Sequence, residues 1–159
     1  MLRKQLIRPV EGSISREEIS IADTATVLVT SERADYPIDH ICDGQRGPGG
    51  TRWIAGQPGD QTVVLAFDAP CPIRAVSLEI EEREVSRTQE VTLATSRDGG
   101  QTYREVLRQE YHFSPPGTTF EREEWRLPAD DSITNLRLWI RPDKGGSPCH
   151  ATITSLAVK

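Results

Sequence analysis

The sequence from Asp43 to Ile54 reads DGQRGPGGTRWI, and the rest of the chain is organised around it. An acidic-glycine turn, a glycine-rich loop and a tryptophan that opens a strand together indicate an ordered loop leading into a β-strand. The glycines from Gly47 to Gly50 let backbone carbonyls turn toward one point, where Asp43 supplies a formal charge. An oxygen site for a hard cation is built in this way, and so is a rigid turn that holds no ion.

Length and charge limit the class of protein. The chain has 159 residues, enough for one domain that buries roughly 70% of its unfolded surface. We predict a single domain over residues 1–159, with residues 1–24 as an N-terminal extension. The formal net charge is −5, which disfavours a nucleic-acid partner because such proteins are usually basic. No apolar run reaches the length of a membrane-spanning helix, so we expect no membrane span.

The cellular compartment is predicted from the first residues and from the cysteines. Residues Met1 to Val10 contain no apolar stretch of the kind found in a secretory signal. Three cysteines, Cys42, Cys71 and Cys149, form an odd set that suits a reducing compartment better than a disulfide framework. The sequence therefore predicts a cytoplasmic protein, and nothing in it indicates an oligomeric state.

Short alternating segments separated by glycine and proline turns predict the fold. The β-branched run Ala25–Thr30 is the first strand, and Thr62–Phe67 is apolar on both faces, as a central strand is. The Cys71-Pro72 pair is expected to end that strand. Along Ile73–Glu82, apolar and polar residues alternate, which is typical of a strand with one buried face.

The strongest turn signal is Asp98-Gly99-Gly100, which predicts a tight hairpin between Val91–Arg97 and Gln101–Arg108. Tyr111–Gly117 is predicted to be a loop. Further strands are predicted at Phe120–Leu127, Asn135–Arg141 and His150–Val158. So many short strands with almost no helix predict an all-β fold, an antiparallel β-sandwich or jelly roll.

The tryptophans divide between the core and the surface. Trp53 and Trp125 are expected to point inward from their strands. Trp139 shares a strand face with Arg137 and Arg141, opposite the apolar face. An outward aromatic of this kind indicates a surface for a protein partner, although guanidinium groups stacked on the ring would explain it equally well.

The order of these pieces resembles a known family. Between Ala25 and Val158 the chain contains, in this order, Val29-Thr30-Ser31, Asp43-Gly44, Thr51-Arg52-Trp53, Val91 to Asp98-Gly99 with Tyr103, and Leu136-Arg137-Leu138. In this order they resemble the discoidin-like domain (coagulation-factor C-type), a galactose-binding-like β-sandwich. The resemblance implies a non-catalytic protein that binds glycans, lipid headgroups or protein partners through loops at one end, often beside a structural calcium.

The resemblance also implies a calcium loop. Asp43 would be the carboxylate ligand, with Thr51 and backbone carbonyls near Asp39 as further ligands. Where the family usually has a glutamate on the last strand, this chain has Ser155, whose hydroxyl carries no charge and should lower the calcium affinity. A glycine-rich turn closed by its own hydrogen bonds is the alternative.

The ligand loops implied by the resemblance are Ser31–Ile41, Arg83–Gln89 and Pro142–His150. A sugar site needs an aromatic face for the C–H side of the ring and planar groups for the hydroxyls. Side chains with this chemistry lie on the first two loops: Tyr36, His40, Arg83, Arg87 and Gln89. The alternative is that these residues form a solvated charged loop and a packed turn.

Catalytic motifs are missing from the sequence, which has neither a nucleophile elbow nor a phosphate-binding glycine motif. We therefore predict a binding protein rather than an enzyme. The first hypothesis is a carbohydrate-binding module that uses the loop end. The alternative is an intracellular protein-interaction domain of the same fold, which uses the Arg137, Trp139 and Arg141 face or a sheet edge.

Overall fold

The computed structural model describes residues 18–128 and 132–159. Within these ranges the chain forms two short helices and ten strands. The helices are α1 (Ile21–Thr24) and a 3₁₀ helix (Ile38–Cys42). The strands are β1 (Ala25–Val29), β2 (Trp53–Ile54), β3 (Gln61–Pro72), β4 (Ala75–Glu81), β5 (Arg87–Ser96), β6 (Arg104–Phe113), β7 (Phe120–Arg126), β8 (Ser132–Arg141), β9 (Thr152–Ile153) and β10 (Ser155–Val158). Both helices are too short to span a membrane.

The strands form an antiparallel β-sandwich, which confirms the predicted fold class. One sheet has the order β1-β3-β8-β5-β6, and the other has the order β10-β4-β7. A short ribbon of β2 and β9 joins them at one end. All the strand pairs in the described residues are antiparallel, so hairpins and longer loops collect at the two ends of the sandwich.

Alternation along the strands places the core between the two sheets. Leu136, Leu138 and Ile140 of β8 are fully buried, whereas Arg137, Trp139 and Arg141 are half-buried on the opposite face, as predicted. On the facing sheet, the buried side chains are Val76, Leu78 and Ile80 of β4. Each fully buried aliphatic side chain contributes about 1.5–3 kcal/mol to stability through the hydrophobic effect.

Trp53 opens β2 and is completely buried, as the sequence predicted. Its indole Nε1 donates a hydrogen bond to the carbonyl oxygen of Ser31 at 3.0 Å. This bond satisfies the polar atom of a ring that is otherwise surrounded by core residues. The tryptophan thereby fixes the segment that follows β1 against the segment that follows the glycine-rich loop.

The predicted hairpin joins β5 to β6, but its turn is longer than the tight turn expected from the Asp-Gly signal. Gly99 and Gly100 have φ values of 74° and 88°, which explains why glycine occupies both positions. The Asp98 carboxylate accepts hydrogen bonds from the Thr102 amide at 2.9 Å and the Thr102 hydroxyl at 2.6 Å. The side chain of Asp98 therefore closes the turn.

Several predicted strand boundaries are wrong. Strand β3 does not end before Cys71-Pro72; a bulge between Ala66 and Cys71 lets it pair again with β8 at its last two residues. Strand β6 extends to Phe113, through part of the predicted Tyr111–Gly117 loop, because its last residues pair with the start of β5. The closing strand is divided at Thr154, where the chain leaves the ribbon with β2 and joins β4.

The end of the predicted N-terminal extension packs on the sandwich. Ile19 pairs with Val158 of β10, and its amide donates to the Val158 carbonyl at 2.8 Å. Ser20 caps α1 through a hydrogen bond from the Asp23 amide to its hydroxyl, and Ile21 is buried. These contacts attach the described start of the chain to the last strand.

Candidate functional site

A cleft of about 610 Å³ opens at the end of the sandwich where β4 passes into β5. Its walls come from the segment after β1, from β2, from the β4–β5 loop and from the segment that precedes β9. The lining residues are Arg33, Tyr36, Arg52, Ile54, Glu81, Glu82, Arg83, Glu84, Val85, Arg87, Pro148, Cys149, His150 and Thr152. A cleft of this size accommodates a small ligand.

Arg87 forms the floor of the cleft and is buried. It was predicted to be an exposed loop residue, but it is the first residue of β5, and its side chain is only 3% exposed. Nη1 donates to the carbonyl oxygens of His150 at 2.7 Å and Pro142 at 3.2 Å, and Nε lies 2.8 Å from a carboxylate oxygen of Glu82. The guanidinium group therefore joins three loops before any ligand arrives.

Gln89 is also a structural residue and lies outside the cleft lining, contrary to its predicted place on a ligand loop. It is fully buried on β5. Its amide nitrogen donates to the Thr152 carbonyl at 2.9 Å, and its amide oxygen accepts from the Thr152 amide at 3.3 Å. Both ends of the side chain are used to hold β9 against β5, which leaves no group for a ligand.

The other predicted ligand residues have different positions. Tyr36 is half-buried and lines the cleft, and the guanidinium carbon of Arg52 lies 5.9 Å from its ring centroid. Arg83 lines the cleft with an exposed side chain that pairs with Glu81 at 3.2 Å. His40 is not among the lining residues; its Nδ1 donates to the Arg52 carbonyl at 2.8 Å and so supports the wall from behind.

Sequence reasoning missed three lining residues that have suitable chemistry: Arg33, Arg52 and His150. Arg33 lies within the first predicted ligand loop, and Arg52 precedes the buried Trp53, so both positions could have been noticed. His150 Nδ1 donates to the Ala55 carbonyl at 2.7 Å. Because that bond fixes the proton on Nδ1, Nε2 of the neutral ring is left as a hydrogen-bond acceptor.

The glycine-rich loop points its amides, rather than converging carbonyls, at two glutamates of β4. The amide of Gly47 donates to Glu79 at 3.0 Å, and the amide of Gly49 donates to Glu81 at 2.9 Å. Both glycines have positive φ, a conformation that glycine adopts without steric cost. The two carboxylates are thus buried on the outer face of the smaller sheet, where strand alternation alone would place them in water.

Arginines complete the coordination of these two carboxylates. Nε of Arg122 donates to Glu79 at 2.7 Å, and Arg83 pairs with Glu81. Because Glu81 contacts both Gly49 and Arg83, it connects the glycine-rich loop to the wall of the cleft. The loop that organises the sequence therefore acts as a support for one side of the site.

The residues predicted to bind calcium do not fit a calcium site. Asp43 and Thr51 do lie together, but the Thr51 hydroxyl donates to one carboxylate oxygen of Asp43, and the Gln45 amide donates to the other at 2.9 Å. Ser155 of β10 adds no charge, and its register partner Glu79 is already paired with Arg122. Calcium takes six to eight oxygen ligands, and the carboxylate that this loop would contribute already accepts two hydrogen bonds from within the loop.

The surroundings of Asp43 and of Asp39, the third predicted ligand, also differ from those of a metal site. Asp39 is exposed in the 3₁₀ helix. Among the described residues, no group of three or more acidic, histidine or cysteine side chains is placed to bind a metal.

The predicted protein-interaction face is stabilised by its own stacking. The guanidinium carbon of Arg137 lies 4.1 Å from the Tyr103 ring centroid, and that of Arg141 lies 5.3 Å from the Trp139 ring centroid. Arg141 also approaches Asp60, at 3.9 Å. These contacts satisfy the aromatic and cationic groups within the sheet face itself.

Comparison with known proteins gives the fold and no close relative. No protein-family model and no curated protein matches the sequence. The structure is similar to CBM32-3 from a family 31 glycoside hydrolase of Clostridium perfringens, with a TM-score of 0.65 and 14% identity over 91% of this chain and 95% of that one. The chain has the discoidin-like fold.

Two further similar structures were solved with sugars. The family 32 carbohydrate-binding module of Clostridium perfringens NanJ, in complex with galactose, has a TM-score of 0.62 and 15% identity over 89% of this chain and 97% of that one. The CBM32 of AlyQ, in complex with 4,5-unsaturated mannuronic acid, has a TM-score of 0.58 and 19% identity over 86% and 95% of the two chains. The discoidin-like fold is thus shared with binding domains of different sugar specificity.

Proposed function

We propose that this protein is a non-catalytic carbohydrate-binding module that holds a glycan in the cleft lined by Tyr36, Arg52, Arg83 and His150. The observation that carries the proposal is the cleft itself, in which one aromatic side chain and several planar hydrogen-bonding groups face the same space. The galactose and mannuronate complexes of the similar modules support it, because they show sugar binding on the same fold at comparable length.

The chemistry of the cleft suits a sugar ring. The C–H face of the ring packs against the phenol of Tyr36, as apolar sugar faces pack on aromatic side chains. Arginine guanidinium groups donate to ring hydroxyls, and Nε2 of His150 accepts from one of them. Because the cleft is open to solvent on one side, we expect dissociation constants of about 0.1–1 mM, or roughly 4–5.5 kcal/mol of binding free energy.

A pair of tyrosine variants tests the proposal. Tyr36→Ala removes the aromatic wall of the cleft, and Tyr103→Ala removes a half-buried tyrosine that also has an arginine beside its ring but lies away from the cleft. A glycan array followed by calorimetric titration should show a bound glycan whose affinity is lost in Tyr36→Ala and retained in Tyr103→Ala. Binding to no glycan, or the reverse pattern in the two variants, would contradict the proposal.

A second candidate function is a protein-interaction domain that uses the outer face of the five-stranded sheet. The observation that favours it is Leu28, which is 52% exposed on edge strand β1 and lies in register with Val64 and Arg137 across the sheet. An edge strand leaves backbone groups unpaired for another chain, and Leu28 adds an apolar contact at that edge. This candidate predicts a stable complex that is lost in Leu28→Asp and retained in Tyr36→Ala, with no glycan binding.

A further inference from the structure

The charges around the cleft are not all paired. Its lining contains four arginines and three glutamates, in a chain whose formal net charge is −5. Arg87 pairs with Glu82, and Arg83 pairs with Glu81. In the part of the chain that the structure describes, neither Arg33 nor Arg52 has a carboxylate partner. Two guanidinium groups are therefore available on one wall.

Backbone hydrogen bonds position the main chain at Arg33, and the ring of Tyr36 lies beside the Arg52 side chain. The Arg33 amide donates to the Ile54 carbonyl at 2.9 Å, and the Arg33 carbonyl accepts from the Tyr36 amide at 3.0 Å. Arg52 precedes the fully buried Trp53. With its guanidinium beside the Tyr36 ring, the Arg52 side chain is preorganised, so less of its entropy is lost when a ligand binds.

We propose that the ligand of this cleft is an anionic sugar, specifically a uronic acid whose carboxylate pairs with Arg52 and Arg33 while its ring packs on Tyr36. This inference rests on the proposed carbohydrate-binding function. The planar guanidinium fork matches the two oxygens of a carboxylate, and such a bond is stronger than one to a neutral hydroxyl. A neutral sugar would leave both cations without a counter-charge.

Glu84 sets the orientation of the anionic ligand. It lies on the β4–β5 loop, is exposed, and has no ion-pair partner in the described residues. A ligand carboxylate near Glu84 would be repelled, so the acidic group must face the wall of Arg33 and Arg52. Removing the charge in Glu84→Gln should strengthen binding of an acidic sugar relative to that of a neutral sugar.

The test compares acidic and neutral forms of the same sugars. The probes are short oligomers of galacturonate, mannuronate and glucuronate, the methyl ester of each, and a sulfated galactose oligomer, all titrated calorimetrically into the full chain. At least one free acid should bind about tenfold more tightly than its ester. Raising the ionic strength should weaken binding of the acid and leave the ester nearly unaffected, because exposed charges are screened.

Matched arginine variants locate the charge effect. Arg52→Gln should weaken binding of both forms, because each loses a hydrogen bond, but the loss should be about tenfold larger for the acid, which also loses a charge pair. Arg74→Gln is the control, since Arg74 is an exposed arginine outside the cleft that also has no ion-pair partner in the described residues. Thermal melting shows whether each variant is folded. The salt dependence is measured on the unmodified protein, so it tests the proposal even if a variant does not fold.

Each outcome separates the two proposals. If esters bind as tightly as acids, the inference of an anionic ligand is wrong and the carbohydrate-binding function stands. If the sulfated oligomer binds and no uronate does, the ligand is anionic but is not a uronic acid, and the inference is wrong. If neither these probes nor a glycan array shows binding, both proposals fall.

Discussion

Nη1 of Arg87 donates a hydrogen bond to the carbonyl oxygen of His150 at 2.7 Å, across 63 residues of sequence. The bond joins the first residue of β5 to the segment that precedes β9. Together with the Glu82 carboxylate and the Pro142 carbonyl, it makes a buried side chain the link between three of the loops around the cleft. Arg87 is thus required for the shape of the site, whether or not it also contacts the ligand.

Arg87→Ala should therefore unfold more easily than the unmodified protein, by about 3 kcal/mol, because it leaves the Glu82 charge partly buried and two carbonyls without their donor. Arg108→Ala is the control: Arg108 and its ion-pair partner Glu105 are both more than half exposed, so this pair should contribute less than about 1 kcal/mol. Urea denaturation of both variants measures the difference. Equal stabilities would show that the Arg87 contacts contribute little.

Gly49→Ala should lower the free energy of unfolding by about 1–2 kcal/mol, because Gly49 has φ +81° and an L side chain is strained there. A Cβ atom at this position would lie 3.6 Å from Arg83, an ordinary contact, so the cost comes from the backbone. Gly145→Ala is the control, since Gly145 does not have a positive φ and the nearest atom to its Cβ is 3.4 Å away. Chemical denaturation compares the two. Equal losses of stability in Gly49→Ala and Gly145→Ala would show that the positive φ of Gly49 is not the cause.

Much of the fold could be predicted from the sequence because it depends on local periodicity. Alternation identified the buried faces of β4 and β8, and Asp98-Gly99-Gly100 identified the β5–β6 hairpin. The boundaries that were wrong depend on pairing with distant segments, as at Cys71-Pro72, where a bulge restores the pairing with β8. No local pattern encodes a partner about 60 residues away.

The site was less predictable for the same reason. A period of two places Glu79 and Glu81 in water, yet the glycine-rich loop covers them. Arg87 and Gln89 have side chains typical of a ligand loop, but β5 begins at Arg87, four residues before the predicted strand, so that both side chains support β9 and the segment that precedes it. The residue types indicated which hydrogen-bonding and aromatic groups the loops could offer. The tertiary contacts determined which of those side chains remained available to bind a ligand.

Adding millimolar calcium should leave the melting temperature of this protein unchanged. A ligand that binds only the folded state raises the melting temperature by mass action, but the Asp43 carboxylate is already occupied by Gln45 and Thr51. Differential scanning calorimetry with calcium and with a chelator measures the effect, and Asp43→Ala is the control. A calcium-dependent rise that disappears in Asp43→Ala would show that the loop rearranges to form the site implied by the family resemblance.

Acidification should loosen the β5–β6 turn only below about pH 4. Hydrogen bonds from the Thr102 side chain and amide, and from Ser96, lower the pKa of Asp98 from 3.8 to about 2. Because the folded-state pKa lies below the unfolded one, the contribution of Asp98 to stability is complete above pH 3.8 and is lost as the pH falls toward 2. The difference in melting temperature between the unmodified protein and Asp98→Asn should therefore be constant near neutral pH and shrink across this interval.

Carboxyl resonances recorded by NMR during a pH titration measure the Asp98 pKa directly, and Thr102→Val provides the matched variant. It removes the hydroxyl that donates to Asp98 and keeps the amide that also donates. The pKa should rise toward its ordinary value in this variant but not reach it, because the amide and Ser96 still stabilise the ionised form. A midpoint near 3.8 in the unmodified protein would mean that the turn is open in solution and that Asp98 does not close it.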